Sequence, residues 1–206
     1  MIAIIDYGVG NLFSLCSSLK HIGANVVVTG DTEIIKKADK IILPGVDAFE
    51  DAAKKLSSTG LDKLIIEQAL SGKPLLGICL GMQMLFEESY EYGVHKGLGL
   101  IKGRVVGMNG RIPQTLDIPH MGWNALRFNN PSPLFKYISE GDFVYFVHSF
   151  YAENCDENLI AQCEYGIPIT AAVQNKNVFG CQFHPEKSGN IGLNILRAFC
   201  EEGNIL

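Results

Sequence analysis

Glycines stand two residues to either side of Cys79, in Gly77-Ile78-Cys79-Leu80-Gly81, between one apolar run (Leu75, Leu76, Ile78) and another (Met82, Met84, Leu85, Phe86). The first run has the pattern of a buried strand and the second that of a helix with a wide apolar face, so the cysteine falls at a strand-to-helix joint. Glycine lets backbone turn sharply and approach another segment closely, and G-x-C-x-G has the form of a nucleophile elbow with sulfur in place of a serine oxygen. Helix N-terminal N–H groups at such a joint favour negative charge on a thiol that is otherwise only a few per cent ionised at neutral pH. Taken alone, the stretch also fits a packed structural cysteine.

A sulfur nucleophile needs a base, and the chain has five histidines. His21 ends a helical pattern beside Gly23, where an imidazolium merely suits the dipole, and His95 lies in a glycine-containing loop. His184 follows a strand pattern with Phe179, Cys181 and Phe183 at alternate positions, and Pro185 and Glu186 come next. Proline holds the preceding backbone extended, which would project His184 and Glu186 to one side. A carboxylate there fixes the tautomer and orientation of the imidazole. A surface turn with an incidental ion pair is the alternative. Set beside the Cys79 joint, the group reads as a Cys-His-acid triad.

Such a triad requires elements that hold it. Residues 2–5 read as a strand, DYGVGN as a glycine turn, and Leu12, Leu15, Cys16, Leu19 and Ile22 as one face of a helix capped by Asn11, with a second strand over 24–29. Glycines after a first strand suggest dinucleotide binding, but Phe13 occupies the third glycine position of that fingerprint and is too bulky for its helix–strand contact. A short helix ending at Ala38, capped by Asp31, precedes a buried strand in KIILPGVDAF, and helical patterns follow over 49–56 and 61–70. The second half is strand-rich over 100–108, 124–128, 142–151, 159–165, 169–174 and 178–183, before a last helix over 188–202. The expected fold is α/β: a single domain over 1–206, a central mostly parallel sheet with helices on both faces, and an antiparallel extension in the second half. In parallel sheets ligands gather at the carboxyl ends of strands, where PGVD and Cys79 both lie.

The 206 residues, 47% hydrophobic, suffice for one sizeable core, and no repeat or low-complexity tract interrupts them. A net charge of −5 without a basic cluster argues against nucleic acid or an anionic membrane as partner. MIAIIDYG lacks the form of a leader, no apolar stretch is of spanning length, and a cytoplasmic protein is expected. The six cysteines show neither a C-x-x-C pair nor zinc-site spacing, so reduced thiols are expected, with no metal and no cofactor.

GICLGMQ followed by CQFHPEKS resembles the two catalytic motifs of the class I (triad) glutamine amidotransferases. DYGVGN, LPGVDAF, HMGWN and YFVHSFY extend the likeness over 6–188, and are similar to members that serve as glutaminase subunits of imidazole glycerol phosphate synthases. The resemblance implies that Cys79 attacks the side-chain amide carbon of glutamine, that His184 protonates the leaving nitrogen and later activates water, and that Glu186 orients His184. It implies glutamine contacts at Gly45, Gln83, Glu91 and Ser149, and an oxyanion strand containing Gly45 and Val46. Protonation of a poor amide leaving group is required on general grounds, and the backbone N–H groups of Leu80 and of the PGVD strand suit the oxyanion. The sequence offers no second domain to use the ammonia, so the acceptor is expected on another protein. By resemblance that is a (β/α)8 cyclase subunit, which forms imidazole glycerol phosphate and aminoimidazole carboxamide ribotide in histidine biosynthesis. Asn11, His120, Met121, Trp123, Tyr145 and Lys187 take the positions that face it. A glutaminase subunit for another acceptor, such as a sugar-modifying amidotransferase, would carry the same triad. Where the family has P-G-V-G this sequence has Asp47 at the fourth position; the resemblance implies an oxyanion strand that rearranges a peptide before it donates, which aspartate permits less freely than glycine, and a plain alternative is that Asp47 caps the helix beginning near Ala48.

Overall fold

The computed structural model describes residues 1–203. Apolar runs of four residues become the strands β1 (Ile2–Ile5), β2 (Val26–Thr29), β3 (Lys40–Leu43) and β4 (Leu75–Ile78). Between them lie helices α1 (Leu12–His21), α2 (Thr32–Lys37), α3 (Phe49–Thr59) and α4 (Leu61–Leu70), and β4 leads into the short α5 (Leu80–Met84). There follow β5 (Glu88–Ser89), β6 (His95–Lys96), β7 (Arg104–Gly107), β8 (His120–Ala125), β9 (Arg127–Phe128), β10 (Phe143–His148), β11 (Phe150–Glu153), β12 (Leu159–Glu164), β13 (Pro168–Asn175), β14 (Val178–Cys181) and the closing helix α6 (Gly189–Glu201).

The main sheet has eight strands in the order β2-β1-β3-β4-β14-β13-β12-β9. The first five run parallel, and β13, β12 and β9 continue the sheet antiparallel. Successive side chains of a strand point to opposite faces. Ile2, Ile4, Ile42, Leu76 and Ile78 therefore pack with Leu15 and Leu19 of α1 and Ile195, Leu196 and Phe199 of α6. Ala3, Ile5, Ile41, Leu43 and Leu75 pack on the other face with Ile35, Phe49, Leu56 and Ile65 of α2, α3 and α4. Two covered faces explain why β1, β3 and β4 are buried at every position, and each large aliphatic so buried contributes about 1.5–3 kcal/mol. Among the described residues no helix is long and apolar enough to cross a membrane.

Three strand stretches depart from the expected antiparallel extension. β7 and β11 belong to a separate four-stranded sheet, β11-β7-β5-β6, and β8 and β10 form a two-stranded one. The run 142–151, which reads as one strand, is divided at Ser149 into β10 and β11, which enter different sheets. Strand pairing is fixed by distant partners, which apolar alternation within a stretch does not name.

Candidate active site

β4 hydrogen-bonds alongside β14, and the ladder's last step is the Cys79 N–H donating to the Cys181 carbonyl at 2.8 Å. There the chain turns at once into α5, and Cys79 is held at φ +54°, ψ −111°. A non-glycine residue in such a conformation stores on the order of 1–3 kcal/mol and persists only when its surroundings impose it. The flanking glycines show how they do so. A Cβ on Gly77 would lie 2.6 Å from the Gly81 carbonyl oxygen, and one on Gly81 would run into the Leu43 carbonyl oxygen of β3. The elbow folds back against its own strand and the neighbouring one with no room for a methyl group, which leaves the thiol at a pocket wall with Cys79 8% exposed.

Beyond β14 the backbone of His184 is extended, but Pro185–Lys187 form a single 3-10 turn rather than an extended run. That turn swings Glu186 back onto the imidazole, with Nδ1 2.8 Å from Oε1 and both side chains 3% exposed. The expected pair forms, through a tight turn in place of an extended run. The His184 N–H donates to the Tyr145 carbonyl, and the Ser188 hydroxyl donates to the His184 carbonyl while accepting from the Tyr145 N–H, so β10 clamps the turn. Burial opposes charge on His184, yet hydrogen bonds to Cys79 and Glu186 and their negative charge outweigh it and push the imidazole up to about 9. With Nδ1 engaged by Glu186, Nε2 is left for the sulfur.

Cys79 and His184 face a cavity of about 380 Å³, lined also by Val46, Asp47, Leu80, Gln83, Glu91, Tyr92, His148, Ser149, Phe150 and Lys187. Gln83 donates both amide N–H groups, to the Phe150 carbonyl at 3.1 Å and to Gln182 Oε1 at 3.0 Å. Glu91 Oε2 accepts the Phe49 N–H at 2.8 Å, and burial raises its carboxyl despite that bond. The Leu80 N–H is the first of α5 and has no carbonyl one turn earlier in the helix to bond. A nucleophile, an oriented acid–base and backbone donors around one cavity can carry acyl transfer through a tetrahedral intermediate. A larger hollow of about 580 Å³ adjoins across Phe150, and neither Cys79 nor His184 lines it.

The family profile described as glutamine amidotransferase class-I matches residues 3–202. This chain belongs to that family. The class-I amidotransferase described here is 54% identical to the imidazole glycerol phosphate synthase subunit HisH of Methanosarcina acetivorans, over 97% of this chain and 98% of that protein. It is 48% identical to the subunit of the same name from Bacillus subtilis, over 97% of this chain and 95% of the other. Among solved structures, one titled as a glutamine amidotransferase superposes with a TM-score of 0.76 at 17% identity, covering 98% of each chain, a likeness of fold.

Of the residues that the amidotransferase motifs singled out, the cavity gathers Cys79, His184, Val46, Leu80, Gln83, Glu91 and Ser149, with Glu186 behind His184. Gly45 is buried beneath it, where a Cβ would lie 2.9 Å from the Gly81 nitrogen. Lys187, expected on a partner face, also lines the cavity mouth. Two expectations need correction. Asp47 makes no capping bond to α3; it sits at φ +82°, and the helix start is instead capped by Glu91, forty-two residues away in sequence. His120, expected on an exposed partner face, is instead buried, 3% exposed and stacked between Tyr165 at 4.0 Å and Phe146 at 4.8 Å.

The sequence by itself assigns no role to His148 or Gln182. Phe150's carbonyl can only accept, so His148 donates to it from Nδ1 at 2.8 Å and presents a bare Nε2 to His120 Nδ1 at 3.0 Å. Asn124 donates one amide N–H to the Glu164 carbonyl and meets His120 Nε2 with the other at 3.3 Å, which likewise puts the His120 proton on Nδ1. Both ends of this chain dictate two neutral imidazoles. Burial agrees, lowering His148 to about 3 and His120 to about 4. The only local signal was that HMGWN and YFVHSFY each carry a histidine within a strand.

Proposed function

We propose that this chain is the glutamine-hydrolysing subunit of an imidazole glycerol phosphate synthase, acting in the cytoplasm in histidine biosynthesis and handing ammonia to a separate (β/α)8 cyclase subunit. The observation that carries the chemistry is the strained Cys79 opposite a His184 that Glu186 holds at 2.8 Å. In this reading Cys79 Sγ attacks the side-chain amide carbon of glutamine, and the Val46 and Leu80 N–H groups receive the oxyanion. His184 delivers its proton to the departing nitrogen, so ammonia leaves and a thioester remains. The now neutral imidazole takes a proton from water, hydroxide adds to the thioester carbon, and glutamate departs as the thiol is restored. Glutamine and water are consumed; glutamate and ammonia are released. An imidazolium at neutral pH suits the first half, because it both favours a thiolate and holds the proton the amine needs. Gln83, with both N–H groups spent, offers substrate its carbonyl oxygen, and Gly45, Glu91 and Ser149 complete the contacts.

The acceptor follows from the 48–54% identity over nearly the whole chain to subunits of that synthase. A face beside the cavity mouth suits a protein partner. Met121 and Trp123 on β8 are 64% and 55% exposed, Trp123 meets Tyr145 edge to face at 6.0 Å, and Lys187 lies over the Tyr145 ring. Asn11 caps α1, next to Phe13, whose ring is exposed. The test supplies amide-labelled glutamine to this chain together with the cyclase of the same genome. Label in imidazole glycerol phosphate, lost with Cys79→Ala, supports the reading. Ammonia release without incorporation into that product moves the chain to a different acceptor, such as a sugar-modifying amidotransferase.

A further inference from the structure

Gln182 is 0% exposed and is the first residue beyond β14, two before His184, yet it belongs to none of the roles above. Its amide bridges Gln83 and the sulfur: Oε1 accepts from Gln83 at 3.0 Å, and Nε2 lies 3.6 Å from Cys79 Sγ. Which end of an amide faces which neighbour is decided by its partners. Here the decision begins at the Phe150 carbonyl, a pure acceptor that obliges Gln83 to present its nitrogen. The second N–H of that nitrogen then requires an acceptor, so Gln182 must turn its oxygen to Gln83 and its nitrogen to the sulfur. The backbone pins the residue as well, with the Gln182 N–H on the Ala171 carbonyl at 2.8 Å. A carbonyl oxygen in the same place would repel a thiolate; an N–H stabilises one, and hydrogen bonds to charged groups are stronger than those to neutral ones.

We infer that Gln182 is a further catalytic residue, donating an amide N–H to the Cys79 sulfur and favouring its thiolate, with the direction of the amide set by Gln83 and the Phe150 carbonyl. The inference rests on Cys79 being the nucleophile. It gives the sulfur two donors, the His184 imidazolium and the neutral Gln182 amide at 3.6 Å, against one acceptor, the Val147 carbonyl at 3.9 Å that takes the thiol's own proton. Of the two donors only the amide keeps its proton throughout the cycle.

The test is the pH dependence of Cys79 alkylation by iodoacetamide, read by peptide mass spectrometry in the full chain, which isolates Cys79 from the five other thiols. Gln182→Met keeps the volume and removes the donor, while Gln182→Glu keeps the shape and puts an acidic oxygen at the sulfur. The other ionisable groups around it are unchanged in both: His184, His148, Glu91, Tyr92, Asp47 and Lys187 at the cavity, Glu186 on His184, and Tyr7 and Cys181 behind. In each variant that retains the wild-type circular dichroism spectrum, alkylation at neutral pH is expected to fall about tenfold, with the profile displaced to higher pH. If one variant does not fold, the other decides. A folded variant with slower glutamine turnover but an unmoved alkylation profile would overturn the inference, because Gln182 would then only support the wall. Because alkylation needs no glutamine, its result stands apart from the glutaminase reading, which fails instead if Cys79→Ala still releases ammonia.

Discussion

On the β4–α5 side of the cavity, Cys79 is placed by backbone against backbone, with Gly77 and Gly81 pressed on the neighbouring strand and elbow. On the opposite side, His148, Ser149 and Phe150 sit where two small sheets meet, and they are placed by side chains: Asn124, His120, His148 and Gln83 hydrogen-bonded in sequence to carbonyls. The first wall is set by steric exclusion, which tolerates no added atom but is indifferent to pH. The second is set by polar groups whose protonation must stay fixed. Each wall should therefore break under a different perturbation.

The largest effect is expected from Gly81→Ala, whose methyl has only the Leu43 carbonyl to enter. Unfolding in urea should show a loss above about 4 kcal/mol, against about 1 kcal/mol for Gly110→Ala, where φ is positive but space is open. Similar costs at both glycines would mean that the elbow is not sterically set. Next is Glu186→Gln, for which glutaminase turnover should drop by about 10²-fold or more. Removing the carboxylate also lowers His184 toward its ordinary value. The native protonated His184 contributes stability that is complete below about pH 6.5 and lost as pH rises through about 9, so the variant's deficit in unfolding free energy should be largest in acid and neutral solution and shrink above pH 9. A deficit constant in pH would detach Glu186 from the imidazole's charge.

The polar wall should show itself at lower pH. His120 and His148 are held neutral, so the unfolded chain binds protons below about pH 6.5 that the native one refuses until about 4 and about 3. Their contribution is complete above pH 6.5 and is lost as pH falls below it, since a second proton would set two N–H donors face to face across 3.0 Å. Thermal unfolding between pH 7 and 5 should thus show a steeper decline for the wild type than for His148→Gln, and equal slopes would argue that the pair is not neutral. The smallest effect is expected from Asp47→Gly, which relieves a positive φ at an exposed position and should change stability by less than about 1 kcal/mol, in the stabilising direction. A loss larger than that would show that Asp47 holds the strand in place.

What could be read from the sequence follows the same division. Strands buried on both faces, helices with one apolar side, and a cysteine between two glycines are local patterns, and they led to the parallel half of the sheet and the elbow. The His184–Glu186 pair is also local, although its geometry is a turn where alternation suggested an extended run. The far wall depends on pairings across the chain. Nothing near 142–151 tells that Ser149 parts two sheets, nothing beside Ala48 tells that Glu91 will cap the helix, and nothing in HMGWN tells that its histidine turns inward onto another. Gln182 sits inside the motif that located His184, but its role depends on the direction of its amide, which only Gln83 and the Phe150 carbonyl decide.

The most direct measurement is covalent trapping with a glutamine analogue that carries an electrophilic ketone in place of the side-chain amide, followed by peptide mapping. The account predicts one adduct, on Cys79, formed more slowly when glutamine competes and more slowly in Glu186→Gln. An adduct on any other residue, or inactivation with Cys79 left unmodified, would contradict it.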